Sequence, residues 1–201
     1  MIATKTKATK TIATKLKPLA LAGAFLAAPL FAADYTIDTQ GAHASINFKI
    51  DHLGVGYVVG RFNDFTGNFT YDAENPDATQ VEVLINMTSV DSNHAERDRH
   101  IRSADFFDVS KFAEARFVST GYEDLGEGKG TLTGDLTWFG QTRSIDIDVA
   151  KVGEGEDPWG GYRAGFTGTT ELNLPDFGAD FNLGPAAETV YLDLVIEGIR
   201  Q

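Results

Sequence analysis

Apolar and polar residues alternate with a period of two through most of this 201-residue chain, as in strands that turn one face inward. Ile46, Phe48 and Ile50 share one such face. The pattern recurs in four later segments, which are 81–87, 132–138, 145–149 and 190–196. Turn signals separate the runs, at 74–77, 126–130, 139–141, 157–161 and 183–185. Roughly eight closely spaced strands predict an antiparallel β-sandwich or β-barrel.

Closure into a barrel is favoured because it removes the exposed edges of a sheet. Gly67, Gly134 and Gly168 interrupt strand patterns and mark sharp bends or close approaches. A barrel of about eight strands either is filled by side chains or holds one small ligand. The 14 phenylalanines fit both interiors, so composition leaves a filled and a hollow barrel open.

The first 32 residues are typical of a secretory signal peptide. They carry five lysines and no acidic residue, followed by an apolar run from Leu19 to Phe31 that is too short for a stable membrane span. Cleavage is expected after Ala32, with Ala33 as the alternative site. Residues 33–201 then form the mature chain, which has the length of a single domain.

Charge and cysteine content narrow the function further. Loss of the leader removes five of 17 basic residues and leaves 12 against 29 acidic ones, a net charge of −17. Such a chain repels nucleic acid and anionic membrane surfaces. The absence of cysteine excludes disulfides, thiolate metal sites and cysteine nucleophiles. With the lysine-rich leader, these features favour a protein exported to a bacterial periplasm.

Residues 88–109 break the strand pattern and are predicted to form one or two short helices. Asp91 or Ser92 is the expected N-cap, and Ser103 could cap a second short turn. A helical insertion in a barrel has to lie across an end or against a wall. Phe106 and Phe107 would then point into the barrel mouth, which makes the segment a candidate lid.

Arg97, Arg99 and Arg102 concentrate a quarter of the mature chain's cationic residues in six positions. They could clamp an anion, because guanidinium groups match phosphate geometry with paired hydrogen bonds. The alternative is local pairing with the acids of the same segment, which are Glu96, Asp98 and Asp105.

Histidines give weak support for a metal site. His94 and His100 are six positions apart, which is not the spacing that places two imidazoles on one helix face. A zinc site assembled in the fold from these residues with His52 and His43 is an alternative. No G-x-S-x-G elbow occurs, and with 29 acids a carboxylate pair indicates nothing. We therefore expect a protein that is not an enzyme.

Several long motifs resemble the YceI family of exported bacterial proteins. They are H-A-S-I-N-F-K-I-D-H-L-G (43–54), G-R-F-N-D-F-T-G-N-F-T-Y-D (60–72), S-V-D-S-N-H-A-E-R-D-R-H-I-R-S-A-D-F-F-D (89–108), G-D-L-T-W-F-G (134–140), D-P-W-G-G-Y-R-A-G-F (157–166) and L-G-P-A (183–186). The resemblance covers essentially the whole mature chain and implies a lipocalin-like, eight-stranded antiparallel barrel. It also implies an elongated apolar interior that binds a polyisoprenoid or another long alkyl chain, without a cofactor.

On that basis the inward strand faces are predicted to line a lipid cavity, with two phenylalanines at its mouth. The candidate lining is Phe48, Ile50, Val83, Ile85, Phe106, Phe107, Leu132, Leu136, Ile145, Ile147, Leu192 and Leu194. The head-group candidates for a phosphate or quinone are Arg97, Arg99 and Arg102. The expected partner is a long-chain isoprenoid lipid of quinone or polyprenyl type, and a homodimer is possible.

Two other functions compete with this one. A filled barrel could serve as a stress-response protein that acts through a protein partner. A metal-dependent hydrolase could be built around His52, His94 and His100.

Overall fold

The computed structural model describes residues 32–179, 181 and 183–201. The predicted leader, apart from Ala32, lies outside the described residues. The strands in the described residues are β1 (Ala33–Ile37), β2 (Ser45–His52), β3 (Gly56–Phe62), β4 (Phe65–Tyr71), β5 (Gln80–Asn86), β6 (Val90–Asp91), β7 (Glu114–Gly126), β8 (Lys129–Trp138), β9 (Gln141–Glu156), β10 (Tyr162–Asn173) and β11 (Thr189–Arg200). One α-helix, α1 (Ala95–Arg102), lies between β6 and β7. Within these residues no helix has the length and apolar character needed to cross a membrane.

The strand segments form an up-and-down antiparallel barrel with eight strand positions, or staves. Three staves consist of two segments each, which are β1 with β2, β3 with β4, and β5 with β6. This follows from the pairing, since β11 meets β1 through Tyr35 and Arg200 and meets β2 through Ile50 and Val190. Each remaining strand pairs with the next along the chain, and β11 closes the ring on β1. The predicted all-β barrel with a short helical segment is confirmed.

Inward-facing aromatic side chains pack against one another around Phe69. The Tyr35 and Phe69 rings stack with centroids 4.8 Å apart, and Phe166 meets Phe69 edge-on at 5.7 Å. Gly134 on β8 allows the Phe117 ring to cross over it, because a Cβ at that position would lie 2.3 Å from Phe117 Cζ. The predicted role of this glycine, a close approach inside a strand, is confirmed.

Helix α1 begins later than the sequence indicates. Its N-cap is His94, whose Nδ1 accepts a hydrogen bond from the Arg97 amide at 3.2 Å. The prediction of Asp91 or Ser92 was wrong because both residues have other partners. Asp91 Oδ1 accepts from the Asn93 amide at 2.8 Å, and Ser92 Oγ donates to Asp98 Oδ1 at 2.5 Å.

Candidate ligand-binding cavity

The barrel interior contains an apolar cavity at the end where α1 and the β2–β3 turn lie. This mouth chamber has a volume of about 440 Å³. Phe48 and Ile50 of β2, Leu136 and Trp138 of β8, and Leu192 of β11 form part of its wall. The chamber reaches the surface, since its rim includes Leu53 and Leu183, which are 73% and 42% exposed.

A second, smaller chamber of about 140 Å³ lies deeper in the barrel. Four residues line both chambers and so form a waist between them: Ile46, Ile85, Leu136 and Leu192. Inward-facing Leu194 and Ile145 border the deep chamber and are only partly buried. A filled interior would bury such side chains completely, so the two chambers form an elongated apolar space along the barrel.

All twelve predicted lining residues border this space. The mouth chamber includes Phe48, Ile50, Phe106 and Phe107, and the deep chamber includes Val83, Leu132, Ile145, Ile147 and Leu194. The other three, Ile85, Leu136 and Leu192, belong to the waist. That they contact a ligand stays a prediction.

Phe106 and Phe107 belong to an aromatic cluster at the mouth. The Phe106 ring lies 5.1 Å from Phe181, and Phe107 meets Trp138 edge-on at 5.5 Å. Phe181 comes from the connection between β10 and β11, so two separate segments meet here. The residues after α1 form hydrogen-bonded turns rather than a second helix.

The ionisable groups of the mouth chamber are Asp51, His52, Arg97 and His100. Arg97 is held in place by Ser92, because its Nε donates to Ser92 Oγ and one Nη to the Ser92 carbonyl, both at 2.6 Å. Ser92 is itself fixed by buried Asp98, which accepts from its amide at 2.8 Å. The remaining Nη of Arg97 donates to no group within the described residues, so this cation is preorganised and retains a donor.

Arg99 and Arg102 do not join Arg97 in a clamp. Arg99 forms an exposed ion pair with Glu96, as in the local-pairing alternative. Arg102 donates to the Val90 carbonyl at 3.2 Å and ties the helix to β6. Neither borders the mouth chamber, so only Arg97 of the three head-group candidates lies where a ligand in the chamber could reach it.

Trp138 offers a polar atom that the sequence did not single out. Its side chain is 6% exposed, lines the mouth chamber, and has a buried indole Nε1 without a hydrogen-bond partner in the described residues. Such an unpaired donor is uncommon in a folded protein. The Nε1 atom itself has less than 1 Å² of accessible surface, so the chamber is lined by the Trp138 ring rather than by its N–H.

The histidine metal site predicted as an alternative is not assembled. Among the described residues, the group of metal-ligating type whose atoms lie within 4.8 Å of one another is Asp38, His43 and Glu197. It contains none of the three histidines named for the hydrolase. Arg163 already pairs with both of its carboxylates, with Nη1 2.7 Å from Asp38 Oδ2 and 2.5 Å from Glu197 Oε1. Hydrogen bonds from Arg163 and His43 lower the pKa of Asp38 to about 2.

Sequence reasoning missed the lining residues that lie outside alternating runs. Phe181 and Leu183 lie in the β10–β11 connection. No period-two pattern marks them. The L-G-P-A motif at 183–186 was the nearest signal, because it indicated a turn beside them.

A closed up-and-down barrel with an apolar cavity defines the class of lipocalin-like barrels. A family model described as the YceI-like domain matches residues 35–198, and the chain belongs to this family. A UPF0312 protein of Shewanella sp. strain MR-7 is 60% identical over 90% of this chain and 96% of its own length.

Two solved structures share the fold. The Campylobacter jejuni YceI protein is 26% identical, with a TM-score of 0.68 over 76% of this chain and 91% of its own. A polyisoprenoid binding domain from Saccharophagus degradans is 14% identical, with a TM-score of 0.59 over 85% of this chain and all of its own.

Proposed function

We propose that this protein binds and carries a polyisoprenoid or similar long-chain amphiphile, with the chain inside the barrel and the polar head at the mouth. The observation that carries the proposal is the pair of adjoining apolar chambers, whose acidic and basic lining residues lie at the mouth end. An alkyl chain gains about 0.8 kcal/mol for each methylene that it removes from water. The free energy gained by burying even part of a prenyl tail therefore exceeds the cost of ordering that tail.

The head group is expected to meet Arg97. Arg97 supplies a fixed positive charge with a spare donor at the chamber. A phosphate would use the charge of the guanidinium, whereas a quinone carbonyl needs only a donor. Loss of the Arg97 charge should therefore weaken the binding of a phosphate more than the binding of a quinone.

We place this activity in the periplasm, on the strength of the leader and the acidic, cysteine-free mature chain. The proposal treats the protein as a carrier without catalysis, in keeping with a family whose structural relatives include a polyisoprenoid binding domain.

The test is native mass spectrometry on protein purified from its own host, followed by solvent extraction. A stoichiometric mass excess that extracts as a prenyl-chain lipid is the expected result. A bare polypeptide mass that persists after incubation with prenyl quinones and polyprenyl phosphates would refute the proposal.

A further inference from the structure

The β2–β3 turn at the cavity mouth carries an exposed apolar cluster. Leu53 is 73% exposed and Val55 is 85% exposed, and Leu183 on the same rim is 42% exposed. Of the nine large apolar side chains exposed in the described residues, four lie between positions 53 and 59. Residues 53–60 contain no charged side chain, although charged residues make up 23% of the chain.

The backbone of this turn makes the leucine unexpected. Leu53 has φ +61° and Gly54 has φ +71°, a conformation that favours asparagine and glycine. The turn is held by the Val55 amide, which donates to the His52 carbonyl at 3.2 Å, and by the Gly54 amide, which donates to Asp51 Oδ1 at 2.5 Å. Neither backbone preference nor burial explains a leucine here. Its apolar surface, which contributes both to the chamber rim and to the outside of the turn, is what remains to account for it.

The apolar rim and the net charge of the molecule indicate which kind of surface the turn contacts. Leu53 lines the mouth chamber and is also exposed, so at Leu53 the apolar cavity wall continues onto the outside of the turn. A net charge of −17 for residues 33–201 opposes approach to an anionic membrane. An uncharged, apolar tip on such a molecule suits the surface of a zwitterionic bilayer.

We propose that the turn at residues 53–55 inserts into a zwitterionic lipid bilayer and brings the cavity mouth against its surface. The amphiphile then passes between bilayer and barrel without its chain crossing water. The inference rests on the proposed function for its purpose, but membrane docking can be measured without any cargo.

The experiment is flotation of the purified protein with phosphatidylcholine vesicles that contain no prenyl lipid. Val55→Ser is the main variant, because Val55 does not line the cavity. Leu53→Asn suits the turn better than leucine does, so a loss of binding there cannot come from misfolding. Leu125→Asn is the matched control, since Leu125 is 60% exposed at the opposite end of the barrel.

The wild type should float with the vesicles, and each tip substitution should lower its partition coefficient roughly tenfold. Leu53→Asn should also raise the thermal midpoint, and Leu125→Asn should bind as the wild type does. Added salt should leave this binding unchanged, and phosphatidylglycerol in the vesicles should weaken it.

Three results would overturn the proposal: a wild type that does not float, tip variants that float equally well, or flotation lost equally in Leu125→Asn. A shift from dimer to monomer in the tip variants, with flotation unchanged, would assign the turn to a second copy instead. Loading with a prenyl quinone from detergent, followed by native mass spectrometry, tests the cavity separately in the wild type and in Val55→Ser. A wild type that takes up no quinone would refute the carrier function and leave the docking result standing.

Discussion

Arg163 and Asp38, which lie 125 positions apart in the sequence, form an ion pair with Nη1 2.7 Å from Oδ2. The pair ties β10 to the break between β1 and β2, beside the strand that closes the barrel. Arg163 also donates to Asp157 Oδ2 at 3.0 Å, in the β9–β10 turn. One guanidinium thus holds three separate parts of the chain.

Asp38→Asn should destabilise the protein in a pH-dependent way. The pKa of Asp38 is lowered to about 2 by Arg163 and His43, below its unfolded value of about 3.9. The stabilisation is therefore complete above about pH 4 and is lost as the pH falls toward 2. We expect a loss of about 2 kcal/mol in the free energy of unfolding at pH 7, measured by urea titration.

The difference between wild type and Asp38→Asn should shrink as the pH falls from 4 to 2. Asp34→Asn is the control, because Asp34 is an exposed carboxylate in β1, four residues before Asp38. A loss of stability that is the same at pH 7 and at pH 2 would contradict the ion-pair account.

Leu136→Phe should separate long ligands from short ones. Leu136 lies at the waist between the two chambers, so a larger side chain blocks the deep chamber while the mouth chamber stays open. Binding of a long prenyl quinone should weaken, whereas a geranyl-length analogue should bind as before. Isothermal titration measures both.

The same variant tests the hollow interior. In a hollow barrel the free energy of unfolding stays near that of the wild type, whereas overpacking of a filled core costs about 1–3 kcal/mol. Leu136→Ile, which conserves volume, is the control and should bind both ligands.

Arg97→Gln should weaken binding of a prenyl phosphate by roughly tenfold, since hydrogen bonds to charged groups contribute about 1.5–3 kcal/mol. Binding of the corresponding prenyl alcohol should change little. Arg99→Gln is the matched control, because Arg99 is paired with Glu96 and does not border the chamber. Equal losses in the two variants would show that the helix charge, rather than the Arg97 site, attracts the ligand.

The two tryptophans should report differently on ligand entry. Trp138 is 6% exposed and lines the mouth chamber, whereas Trp159 is 79% exposed in the β9–β10 turn. A prenyl quinone should therefore change the fluorescence of Trp159→Phe, which retains Trp138. The emission of Trp138→Phe should be unaffected, and a response confined to Trp138→Phe would place the ligand outside the cavity.

Local patterns were enough to predict the barrel and its inward faces. Alternation in 45–52 and 190–196 assigned Phe48 and Leu192 to the interior, because a strand's side-chain period is fixed by its own backbone. Motifs from His43 to Ala186 indicated the family for the same reason: they are contiguous in sequence.

Tertiary contacts decided what local patterns left open. Whether Arg97 or Arg99 meets the cavity depends on which side of α1 faces the barrel, and the sequence places both within three positions of each other. The N-cap is His94 rather than Ser92 because Ser92 is hydrogen-bonded to Asp98. No local pattern specifies which of these competing hydrogen bonds forms.

The sequence by itself determined the strand faces, the single helical interruption and the charge of this protein, because these depend on neighbours along the chain. The tertiary structure alone decided that the interior divides into two chambers, that Arg163 pairs with Asp38 and that Leu53 stands exposed at the mouth. Those features depend on how eight staves close around a space, and closure brings together residues more than a hundred positions apart.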